Sequence, residues 1–89
     1  MSEFVSTSIP IDSGEAAFKT NHAEFLAVVG KRVRDHRDSV RMSRKVLSQR
    51  SEVSERYLAQ LESGKGNMSI TLLRRVSIAL GVPLDKLVA

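Results

Sequence analysis

The stretch Ser43 to Glu62, SRKVLSQRSEVSERYLAQLE, leaves room for little except two short helices crossed at a tight turn. A serine ahead of a helix accepts a hydrogen bond from a free amide of its first turn. Ser43 therefore predicts a helix over about Arg44 to Arg50, and Ser54 a second over about Glu55 to Glu62. Val46 and Leu47 give the first helix an apolar face, Leu58 and Leu61 do so for the second, and Val53 sits in the turn. Ser48 and Ala59 are small enough to let the pair approach closely.

That is the layout of a helix-turn-helix, in which the second helix is held out where it can enter a major groove. The flanking residues sharpen it. The segment RVRDHRDSVRMSRKVLSQRSEVSERYLAQLESGKGNMSITLLRRVSIALGVPLDKLV resembles the five-helix DNA-binding domain of the Xre/lambda-repressor-like regulators, over roughly residues 25 to 88. Its most specific pieces are VSERYLAQLESGKGN and LLRRVSIALGVPLDKLV, in the right order and spacing. The wording is most similar to the DNA-binding half of aromatic-degradation regulators that carry a shikimate-kinase-like effector domain. Nothing of that second domain is present, so the resemblance implies an all-α fold and a DNA-binding role alone.

Charge and composition agree with this. Residues 1–30 hold one base and four acids, net −3, whereas residues 31–89 hold thirteen bases and six acids, net +7. A basic globular part suits a polyanion, although lysine and arginine also solvate any small surface. At 89 residues the chain makes one domain. It has no cysteine, which excludes disulfides and thiolate metal sites. No stretch reads as a leader or a membrane span, so the expectation is a soluble, cytoplasmic protein.

Along the chain, residues 1–20 read as a flexible, acidic arm, within which Ser13 to Phe18 could start a short helix. Residues 21–89 read as the helix-turn-helix domain. Asn21 with Glu24 forms a capping box for a first helix ending near Arg37 or Asp38, with Phe25, Val29 and Val33 as its stripe beside Leu26. Gly64 is a left-handed stop for the third helix. Ser69 caps a fourth that Gly81 ends, in which Ile70, Leu73, Val76, Ile78 and Leu80 are candidates for burial. Pro83 opens a last short helix, LDKLV.

The resemblance carries three base-contacting positions onto Glu55, Arg56 and Gln60. Their chemistry fits, because arginine pairs bidentately with guanine, glutamine with adenine, and glutamate accepts from the cytosine amino group. Glu55 could equally complement the helix dipole. The backbone clamps carry over to Ser43 and Arg44, and to Lys65 and Asn67 with the amides of Gly64 and Gly66. Arg41 and Lys45 are in reserve. Tyr57 reads either as a contact at the sugar-phosphate edge or as packing against the second helix. Arg37 and Glu62 match a structural pair that ties the first helix to the end of the third.

Three departures stand out from the family pattern. Glu52 occupies a turn position usually filled by glycine, and is expected at a positive φ. Arg41 replaces the glycine usual before the second helix. His36 stands where an apolar residue is common, and reads as a half-buried side chain.

The leading function is sequence-specific binding of double-stranded DNA by a transcriptional regulator or repressor, as a homodimer on a two-fold operator. Contact between copies is expected through Leu84, Leu87 and Val88, with Phe4, Val5 and Ile9 of the arm as a second source. The alternative is a protein-interaction module of antitoxin or anti-repressor type with the same fold. An enzyme is disfavoured, since two histidines and no cysteine give no nucleophile–base or metal constellation. No cofactor is expected, and the operator and any effector ligand are not legible.

Overall fold

The computed structural model describes the backbone of residues 11–89 and the side chains from residue 22 onward. Five helices follow in order: α1 (Ile11–Ser39), α2 (Arg44–Ser51), α3 (Glu55–Glu62), α4 (Ile70–Leu80) and α5 (Asp85–Val88). No strand occurs among the described residues. The all-α, five-helix expectation holds. So do the caps: the hydroxyls of Ser43, Ser54 and Ser69 accept from the amides of Val46, Tyr57 and Leu72 at 3.1, 3.0 and 3.3 Å.

The core is a single cluster of Val29, Val33, Leu47, Val53, Leu58, Leu61, Leu73, Val76, Leu80 and Leu87. Each such side chain contributes about 1.5–3 kcal/mol by leaving water. α3 packs chiefly on α1, and α2 on α4. The turn between α2 and α3 is fixed by two bonds from one serine: the amide of Glu52 donates to the Ser48 carbonyl at 2.9 Å, and Ser48 Oγ donates to the Val53 carbonyl at 2.5 Å.

Several expectations need correction. α1 begins at Ile11, ten residues before the predicted start, so Asn21 and Glu24 lie inside the helix and form no capping box. Residues 11–20 are helical, and the remainder of the expected arm, residues 1–10 with Phe4, Val5 and Ile9, lies outside the described residues. Phe25 is 41% exposed, whereas Val29 and Val33 are fully buried and Leu26 is half-buried. Ile78 is exposed since it falls about 200° around α4 from Val76, and Ile70 overhangs the helix start. Ala59 is exposed and spaces nothing. A different close approach, of α1 to α3, is made by Gly30, where a Cβ would run into the carbonyl oxygen of Leu61.

α5 also differs from its prediction. Leu87 is fully buried, and Leu84 and Val88 pack partly against the core. Leu87 thus belongs to the core of the monomer, while Leu84 and Val88 keep part of their surface open. Arg32 fastens this helix to α1 by donating to the carbonyls of Leu87, at 3.2 Å, and Ala89.

Helix ends follow one pattern three times. After α3 the amides of Gly64 and Lys65 donate to the carbonyls of Leu61 and Gln60, and after α4 those of Gly81 and Val82 donate to Ile78 and Ser77. After α1 the same pair of bonds, from Arg41 to Asp38 and Met42 to Arg37, puts an arginine at φ 57 in the left-handed position. Glu52 holds φ 59, as its place in the turn predicts.

Candidate nucleic-acid interface

The C-terminal end of α3 is the most constrained part of the surface. Arg37 of α1 grips Glu62 with both arms of its guanidinium, Nε to Oε2 at 2.7 Å and Nη2 to Oε1 at 2.9 Å. Its remaining Nη1 donates to the Met42 carbonyl at 2.9 Å, ahead of α2. One arginine thus binds three elements. The Glu62 side chain is 3% exposed and that of Arg37 11%. Burial alone would raise the Glu62 carboxyl, but the hydrogen bonds from Arg37 and Arg44 outweigh it and hold the group below its ordinary value. The bond to Glu62 likewise raises the Arg37 guanidinium.

Arg44 joins this cluster unexpectedly. Its Nε donates to Glu62 Oε1 at 3.1 Å while its side chain stays 47% exposed. Asp38 also lies 3.5 Å from Arg37 Nη1, so two arginines face two carboxylates here, and the exposed part of Arg44 stands beside the start of α2. Ser43 caps that same start. Nothing in the spacing of residues 44 and 62 signals this bond.

The N-terminal end of α3 is built differently. Glu55, Arg56 and Gln60 are exposed, and no hydrogen bond or ion pair within the described residues engages their side-chain polar groups. Gln60 leans over the following loop, so that a Cβ at Gly66 would stand 3.1 Å from its Oε1. The loop residues Lys65, Gly66 and Asn67 are exposed beside it. Arg41, Lys45, Arg56 and Lys65 are all exposed cations without an ion pair among the described residues.

Two of the carried-over residues do other work. Gly64 does not offer its amide outward, because that N–H closes the end of α3 on the Leu61 carbonyl. Its φ of 73 and its seat against Ala27, where a Cβ would meet the Cα at 2.9 Å, make it a packing residue. Tyr57 is half-buried against the core, and its hydroxyl accepts from the Ser69 amide at 3.3 Å, tying α3 to the start of α4. The phenolic proton remains able to donate. This link to α4 is one that neither expected role of Tyr57 included.

His36 is half-buried, as its place on α1 predicts. Among the described residues no cluster of three His, Asp or Glu side chains could hold a metal ion. No described helix is long and apolar enough to cross a membrane. A shallow cleft of about 200 Å³ is lined by Arg50, Ser51, Glu52, Arg75 and Ile78, beside the α2–α3 turn.

Comparison with known proteins places this surface in context. Residues 33–87 match the helix-turn-helix family. Among solved structures, the restriction-modification controller protein C.AhdI from Aeromonas hydrophila superposes with a TM-score of 0.67 at 26% identity, covering 70% of this chain and 94% of that one. A search of curated proteins finds no match.

Proposed function

From the premise that this chain belongs to the helix-turn-helix family, we propose that it binds double-stranded DNA sequence-specifically as a cytoplasmic transcriptional regulator, two copies occupying a two-fold related operator. The likeness to a restriction-modification controller supports a regulatory role. The observation that carries the reading is the unengaged outer face of α3. Glu55, Arg56 and Gln60 present donors and acceptors on one exposed helix whose far end is locked in place. Free polar groups on a rigid support are what base readout requires.

In this reading α3 enters the major groove. Arg44 and Ser43 at the start of α2, and Lys65 and Asn67 after α3, sit on phosphates either side of it, positioning without reading sequence. Tyr57 can donate its phenolic proton to the same backbone. The free cations Arg41, Lys45, Arg56 and Lys65 weigh against a protein-interaction module, which has no need of them around α3. Neither catalysis nor a cofactor enters the proposal.

Selection of bound sequences from a random duplex pool tests this directly. A recovered motif with two half-sites is expected. Arg56→Ala and Gln60→Ala should each cost roughly 1–3 kcal/mol on that site and relax preference at one position, whereas Lys65→Gln should weaken all sequences alike and lower the log–log salt slope by about one. An enriched pool with no common sequence would remove the specific reading, and absence of any enrichment would remove DNA.

A further inference from the structure

The loop after α3 is tied to the residue whose side chain it underlies. The Gln60 carbonyl accepts twice, from the Lys65 amide and from Ser63 Oγ, each at 2.9 Å. On its inner side the loop rests on α1, where a Cβ at Gly64 would meet the Cα of Ala27 at 2.9 Å. These contacts fix the loop relative to α3 and bring Gly66, at φ 78, under the side chain of Gln60. A Cβ built on Gly66 would stand 3.1 Å from Oε1, 3.6 Å from Cβ and 3.7 Å from Cδ of Gln60. The glutamine thus lies along the loop from its Cβ to its amide.

Two demands meet at position 66. A left-handed φ favours glycine, but backbone alone does not decide, since Arg41 and Glu52 hold φ 57 and 59 with side chains in place. At 66 a side chain would meet a second obstacle, the far end of an exposed and flexible glutamine. Rotation of Gln60 is the cheapest relief, because the loop is held by its bonds to α3 and its seat on α1. No hydrogen bond within the described residues holds the Gln60 amide. The surface of the loop beneath is therefore the contact that sets its direction. Glutamine reads adenine with both groups of its amide at once, which makes that direction matter.

We infer that Gly66 is a positioning residue for base readout. By carrying no side chain it sets how Gln60 presents its amide, and with it the strength of base preference at one operator position. This rests on the reading of α3 as the base-contacting helix, with Gln60 among its contacts.

Affinities of the full chain for the duplex recovered by selection, and for its single-base variants, test it. Gln60→Ala is expected to lower discrimination at one base pair by about fivefold or more. Gly66→Ala should lower it at that same base pair by about threefold or more, and so should Gly66→Asn, which accepts a left-handed φ with less strain. Gly66→Ala combined with Gln60→Ala should discriminate no worse than Gln60→Ala alone, as two residues acting through one contact do. Gly81→Ala controls for backbone strain. Its φ of 75 matches that of Gly66, but a Cβ there meets nothing within 4 Å, so it should lower the melting temperature comparably and leave base preference unchanged. In the protein without DNA, the side-chain amide protons of Gln60 should show nuclear Overhauser contacts to the Gly66 α-protons.

Unchanged preference in both position-66 variants, a double variant worse than Gln60→Ala, or an equal shift in Gly81→Ala would each overturn the role of Gly66 and leave Gln60 a base reader. Absence of the Overhauser contact would overturn it too. If Gln60→Ala alters no base preference, the reading of Gln60 falls and this role with it.

Discussion

The two ends of α3 are built to opposite specifications within eight residues. At its C-terminus Glu62 is buried, bonded by two arginines, and backed by a glycine that lets α1 press against the Leu61 carbonyl. At its N-terminus the backbone is capped by Ser54, yet the side chains of Glu55 and Arg56 are committed to nothing within the described residues. Stability is concentrated at one end of the helix and free chemistry at the other. A side chain that is to meet a ligand must not already be satisfied, and the helix presenting it must not drift.

The contrast is most easily broken at Glu62. Glu62→Ala leaves the largely buried Arg37 guanidinium without its carboxylate, and is expected to cost about 3–5 kcal/mol of stability in denaturant titration. A loss under about 1 kcal/mol would mean that the C-terminal end is not the anchor. A smaller effect follows from pH. The Glu62 carboxyl lies lower in the folded state than in the unfolded chain, so its stabilisation is complete above the unfolded value of about 4.3 and drains away as pH falls through the folded one. Melting temperature should therefore fall more steeply below about pH 4 in the native chain than in Glu62→Gln. The raised Arg37 gives no matching transition in the usual range, because its stabilisation persists through ordinary alkaline pH. The smallest effect belongs to the other end: Arg56→Ala should change stability by no more than about 0.5 kcal/mol, by the same denaturant measurement. A larger loss would show Arg56 working for the fold.

Much of this was legible in the residues because it is local. A serine cap, a glycine stop and apolar spacing act within one or two turns, so Ser43, Ser54, Ser69 and Gly81 mark their helix ends where expected. The left-handed Glu52 was legible for the same reason. What misled was either non-local or a matter of supply. The Arg44–Glu62 and Tyr57–Ser69 bonds join side chains whose approach is decided by how helices cross, which spacing does not encode. The Gly64 amide was carried over as a phosphate clamp by the resemblance, but the end of α3 consumes it. Leu87 was counted as surplus because the capacity of the core depends on how α5 docks, and Arg32 docks it. The start of α1 was misjudged because a capping box reads the same inside a helix as at its end.

Arg41 gives the fold one more consequence. The other two helix ends of its kind place glycine in the left-handed position, where it is free of the steric penalty of about 1–2 kcal/mol that a side chain meets there. This chain accepts the penalty immediately before α2, and gains an exposed cation at the edge of its basic surface. A glycine would leave more molecules folded at a given temperature, but would shorten the reach of attraction toward an approaching polyanion. If the proposed DNA reading holds, the joint after α1 gives up conformational ease for a cation that draws a polyanion toward the surface.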